Sequence, residues 1–222
     1  MRCDVDFALT NSSLGNDDGV ALRDDDLVAA LDDTAGWSRL PLLAALGESQ
    51  GKTGPDALRA VLATSGKGTA DQRCTALLAL GKRCGSEATQ DFGAALAATS
   101  RVRDYALLCL GAWGLDGYWD DVYDSLRRWL RKPRRSDTSL FEAMVTYLTQ
   151  HLAEGADREA RLERLLTVDV AALSTDELNW LQDRWPSTNL PGTGRPDVER
   201  LRAEFRAKPL FQPIHQHAPS SA

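Results

Sequence analysis

Residues that usually carry chemistry are scarce in this chain. It has three histidines (His151, His215 and His217) and two methionines in 222 residues. The pair at 215 and 217 lacks the further partners that a metal chelate needs. Four cysteines, Cys3, Cys74, Cys84 and Cys109, form no CxxC pair. Cys74 and Cys109 lie inside apolar runs, so small core thiols are expected in place of zinc ligands or a disulfide framework. No His-Glu-x-x-His motif occurs, so a zinc hydrolase of that kind lacks its apparatus. No apolar run approaches the length of a bilayer crossing, and no basic stretch leads into an apolar one at the N-terminus. The expected setting is cytoplasmic, with no membrane and no cofactor. Positive charge is also in deficit. Lys and Arg number 26 against 32 Asp and Glu, for a net charge of -6. That balance disfavours a nucleic-acid partner, because a phosphate backbone attracts the opposite sign.

What the chain does contain is an apolar fraction of 43% beside 26% charged residues, enough for a sizeable core. That fraction is organised as a repeat. Arg73-Cys74-Thr75-Ala76-Leu77-Leu78-Ala79-Leu80-Gly81 is followed thirty residues later by Arg103-Asp104-Tyr105-Ala106-Leu107-Leu108-Cys109-Leu110-Gly111, with six of nine positions identical. A third copy, Arg39 to Gly47, lies upstream and keeps the Arg and the closing Leu-Gly. Within each copy the apolar residues fall at i, i+1 and i+4, which makes one stripe along a helix. The closing glycine is expected to be a left-handed C-cap, where a Cβ would be penalised. A second helix follows each glycine at constant distance, carrying Leu58, Val61 and Leu62 in the first copy. Pro55-Asp56 supplies the Pro and the acid that suit a helix start. Helical hairpins of this kind cannot bury their apolar faces alone and must stack.

Val102-Arg103-Asp104-Tyr105-Ala106-Leu107-Leu108-Cys109-Leu110-Gly111-Ala112-Trp113-Gly114 resembles the VRxxALxxLGxxG helix of HEAT repeats. The likeness is to the short type found in phycobilin-lyase-like proteins, and it is best over about residues 37–131. It implies an all-α, armadillo-like α-solenoid of antiparallel hairpins. The repeats, with no catalytic machinery in view, lead to the expectation of a non-catalytic scaffold in which second helices line a face that docks a protein or peptide. Trp119-Asp120-Asp121-Val122-Tyr123-Asp124 is similar to the Trp-Asp-x-Val-Asp stretch of HEAT-like alkylpurine DNA glycosylases, whose Trp and final Asp belong to the lesion site. Here Tyr123 takes the place of that Asp, and Asp124 points about a hundred degrees away around a helix. The spacing of Trp119, Val122, Leu126 and Trp129 marks Trp119 as core.

The expected organisation is an acidic capping segment at 1–36, repeats over 37–185, and a linker, short amphipathic helix and Pro-rich tail over 186–222. Nine of the first 33 residues are Asp, and Asp24-Asp25-Asp26 should open a helix bearing Leu27, Val28 and Leu31. They do not follow the Asp-x-Asp-x-Asp-Gly pattern of a calcium loop. Gly47-Glu48-Ser49-Gln50-Gly51-Lys52-Thr53 has three residues between its glycines where a phosphate loop has four, and it follows a helix; it reads as a turn. Leu140, Met144, Tyr147 and Leu148 should line one face of a further helix. Ser174-Thr175-Asp176-Glu177 has capping-box spacing. The one concentrated patch is Arg127, Arg128, Arg131, Lys132, Arg134 and Arg135. It could receive an anion, a partner or nucleic acid. Alternatively it matches a helix dipole, since Asp120, Asp121 and Asp124 stand at the other end.

Overall fold

A computed structural model describes residues 22–66, 68–98, 100–131, 138–152, 156–166, 168, 171, 173–184 and 207. Among these the fold is all-α, and the only extended pairing is an isolated bridge between Arg23 and Gln50. The helices are α1 (Asp24–Asp32), α2 (Arg39–Leu46), α3 (Gly54–Leu62), α4 (Ala70–Cys84) and α5 (Thr89–Leu96). They continue with α6 (Ser100–Trp113), α7 (Trp119–Arg131), α8 (Ser139–Gln150), α9 (Ala156–Leu166) and α10 (Thr175–Arg184). Among the described residues no helix is long and apolar enough to cross a membrane. The described residues divide into two compact units, one ending at Cys84 and the other beginning at Gly85. That division falls inside the span expected to hold the repeats. The amphipathic helix expected after Pro196 and the Pro-rich tail lie outside the described residues, as does most of the acidic segment.

In the first unit α4 packs against α2 and α3, and α1 lies on the same two helices. Leu43, Leu46, Leu58, Leu77 and Leu80 are all fully buried there, as the apolar stripe requires. Arg73 Nε donates to the Leu62 carbonyl at 2.9 Å, tying the end of α3 to the start of α4. The second helix of a sequence copy therefore packs chiefly on the first helix of the next copy. The second unit does the same, with α5 on α6 and α7 on α8.

The closing glycines are not the left-handed caps expected of them. Gly111 lies within α6, Gly81 within α4, and Gly47 caps α2 with a right-handed φ of -69°. The left-handed stops come later, at Gly85 (φ 52°) and Gly114 (φ 62°). What Gly47 and Gly111 provide is room. A Cβ on Gly47 would stand 2.9 Å from Ala79 Cα, and one on Gly111 would stand 2.7 Å from Ala143 Cα. In each unit the closing glycine of one copy thus presses on an alanine of a later helix, and both pairs are 32 residues apart (79 minus 47; 143 minus 111).

α8 exceeds its expected single face. Leu140, Met144, Tyr147 and Leu148 are buried, and so are Phe141, Ala143, Val145, Thr146 and Thr149. A helix apolar on nearly all sides is a central one, with α6 and α7 as its main partners. Tyr147 Oη donates to the Leu115 carbonyl at 2.6 Å and accepts the Tyr118 N–H at 3.0 Å, which pins the turn between α6 and α7. Burial pushes that phenol up to about 12, so it stays neutral and can keep donating. The capping box at the start of α10 forms as its spacing requires. Ser174 N–H donates to Glu177 Oε2 at 2.6 Å, and Glu177 N–H donates to Ser174 Oγ at 3.3 Å.

Candidate functional site

α7 carries the basic residues singled out in the sequence. Its period separates two faces cleanly. Trp119, Val122, Leu126 and Trp129 are buried, while Arg127, Arg128 and Arg131 are exposed. Lys132, Arg134 and Arg135 lie outside the described residues. Asp120 and Asp121 stand in the first turn and Arg128 and Arg131 in the last, which matches the helix dipole at both ends. Arg128 is held by its own helix: Nε donates to the Asp124 carbonyl at 3.2 Å and a terminal nitrogen to Ser125 Oγ at 3.0 Å. Arg127 lies 6.0 Å from the centre of the Tyr123 ring. Three guanidinium groups thus project from one face, and two are oriented by contacts beneath them.

Two arginines of α9 cover an aromatic pair on α7. Trp119 and Tyr123 stack with centroids 5.2 Å apart and planes 10° apart. Arg164 covers both, 4.6 Å from Trp119 and 4.2 Å from Tyr123, and Arg161 lies 5.1 Å from Trp119. Arg164 also pairs with Asp120 at 2.7 Å, and Arg161 donates to the His151 carbonyl at 2.8 Å. The Trp119 indole N–H donates to the Leu148 carbonyl at 3.1 Å. Trp119 is only 3% exposed, so the tryptophan compared with a lesion-site residue is engaged in the packing of α7 and α8. The i, i+3 spacing of Arg161 and Arg164 on a charged helix does not show that they roof an aromatic pair on another helix.

The phosphate-loop look-alike in the first unit is a turn between α2 and α3, and it does enclose an anion, one belonging to the chain itself. Asp24, the first residue of α1, is 1% exposed. Its Oδ1 accepts from Ser49 Oγ at 2.6 Å and from Arg83 Nη1 at 2.7 Å. Its Oδ2 accepts from the Gly54 N–H at 2.7 Å and from Arg83 Nη2 at 2.8 Å. Arg83 further donates to the Leu46 and Gly51 carbonyls at 2.7 and 2.8 Å. The hydrogen-bonded Arg83, Ser49 and Gly54 outweigh the opposing effect of burial and hold the Asp24 carboxyl down at about 2. The sequence suggested only that Asp24 suits the start of α1. Nothing local could pair it with an arginine 59 positions away. Among the described residues no group of three His, Cys, Asp or Glu is arranged to hold a metal ion.

Comparison with family models, curated proteins and solved structures finds no match to this chain.

Proposed function

We propose that the chain is a non-catalytic, HEAT-like α-solenoid module that binds an acidic protein or peptide segment through the outer face of α7. The observation that carries this reading is the arrangement of Arg127, Arg128 and Arg131, exposed together above a buried aromatic face. Guanidinium groups oriented in advance lose less freedom when they meet carboxylates, and their forked geometry suits two-oxygen acceptors. The repeat architecture is supported by the glycine-on-alanine contact recurring at 32 residues in both units. The binding-module class is supported by the use of Trp119 in packing, which leaves the glycosylase likeness without its reactive geometry.

The test is a titration of the full chain with a fluorescent Glu/Asp-rich peptide, a basic peptide and single-stranded DNA. The acidic peptide should bind at about 50 mM salt and weaken as salt screens the contact. Arg127→Gln/Arg128→Gln/Arg131→Gln should lose affinity by about tenfold, the sum of three rim charges. No binding of the acidic peptide, or equal binding by the triple variant, would overturn the proposal. Tighter, steeply salt-dependent DNA binding would select a nucleic-acid partner instead.

A further inference from the structure

The Asp24 carboxylate has the surroundings of a bound ligand. Four donors converge on its two oxygens in pairs: Ser49 Oγ and Arg83 Nη1 on one, the Gly54 N–H and Arg83 Nη2 on the other. All four donors belong to residues outside α1: to the 47–54 turn, the start of α3 and the end of α4. The guanidinium is anchored independently of Asp24, through the Leu46 and Gly51 carbonyls. The walls are also cut to size. A Cβ on Gly51 would come within 2.7 Å of the Asp24 carboxylate, and one on Gly54 within 2.8 Å. Glycine at these two positions is what admits the group. Flanking groups are engaged elsewhere, with Asp25 accepting from Thr53 Oγ1 at 2.8 Å and Lys82 lying 3.8 Å from Glu48.

We propose that Ser49, Gly51, Gly54 and Arg83 form a preorganised receptor for one acetate-sized carboxylate, and that Asp24 is its built-in occupant. The pairing of donors favours a planar two-oxygen anion over tetrahedral phosphate, because fork meets fork along two parallel hydrogen bonds. The turn keeps its shape through Arg83 and its carbonyl anchors. In the intact chain Asp24 is tethered beside the receptor at high effective concentration, so a free carboxylate does not displace it.

Asp24→Gly in the full chain provides the test, because the atoms it removes are those of acetate. Melting should be followed by circular dichroism in sodium acetate, sodium phosphate and sodium chloride at equal ionic strength. Acetate at about ten times its Kd should raise the midpoint of Asp24→Gly by about 3–6 °C over chloride. Phosphate should do less, and the wild type should not distinguish acetate from chloride. Adding Arg83→Gln should remove the acetate response. If Asp24→Gly is unfolded in chloride, the yield on refolding in acetate against chloride becomes the readout, and acetate should increase it. Equal behaviour in acetate and chloride, by melting or by yield, would overturn the proposal. So would an acetate response that survives Arg83→Gln.

Discussion

Gly111→Ala sets two effects of opposite sign against each other, and the structure says which one wins. Replacing a helical glycine by alanine ordinarily stabilises by about 0.5–1 kcal/mol, since the unfolded chain loses freedom. At position 111 the new Cβ would stand 2.7 Å from both the Cα and the carbonyl oxygen of Ala143, and 2.8 Å from its Cβ. Carbon atoms in good contact are about 3.5–4.0 Å apart, so α6 and α8 must separate by about 1 Å. Ala143 cannot yield locally, because its neighbours along α8 are buried on nearly every side. Overpacking of this kind costs about 1–3 kcal/mol. The net expectation is a loss of about 1–2 kcal/mol, read as a lower urea midpoint at unchanged slope. Adding Ala143→Gly removes the Cβ contact and leaves the two backbone contacts, so it should recover less than half of the loss. A Gly111→Ala protein as stable as wild type, or more so, would refute the close approach of α6 to α8.

Two further expectations concern buried polar groups. Asp24 has its carboxyl lowered from 3.8 to about 2, so its bonds stabilise the fold fully above the unfolded value. This contribution, on the order of 2 kcal/mol, should fade as pH falls from about 4 to about 2. Acid melts of Asp24→Asn should lack that component; an identical acid profile in both proteins would count against the clamp. Tyr147→Phe should cost about 1–3 kcal/mol by stranding the Leu115 carbonyl and the Tyr118 N–H. Hydrogen exchange at 115–118 should quicken in this variant, and unchanged protection there would mean that the turn is held by other means.

Periodicity made the helices legible. The stripes at Ala76, Leu77 and Leu80 and at Ala106, Leu107 and Leu110 are buried in the structure, and the spacing from Trp119 to Trp129 placed the buried face of α7. The capping box before α10 was equally local, because its two partners are three residues apart. What escaped the sequence depends on contacts between helices. The glycine at the end of each repeat copy suggested a cap, since a lone glycine near a helix end has that as its commonest use. The service of Gly47 and Gly111 as bearing surfaces for Ala79 and Ala143 needs the packed pairs to be seen. For the basic patch, the order of charges along α7 showed how it meets the dipole. The contact of Arg127 with Tyr123 is local, four residues apart on α7, whereas the roof of Arg161 and Arg164 depends on tertiary geometry. The acids at 24–26 looked interchangeable in the sequence, yet only Asp24 is buried.

The clamp at Asp24 also sets an order of events during synthesis. Asp24 leaves the ribosome 59 residues ahead of Arg83. At about 5–20 residues per second, the carboxylate waits about 3–12 s for its counter-ion to be made. During that interval α2 and α3 can form and meet, but the groove they offer α1 has no cation to neutralise a buried acid. Among the described helices of that unit, α1 is therefore translated first and locks last. A ribosome stalled before residue 83 would hold a chain in which α1 is not yet fastened.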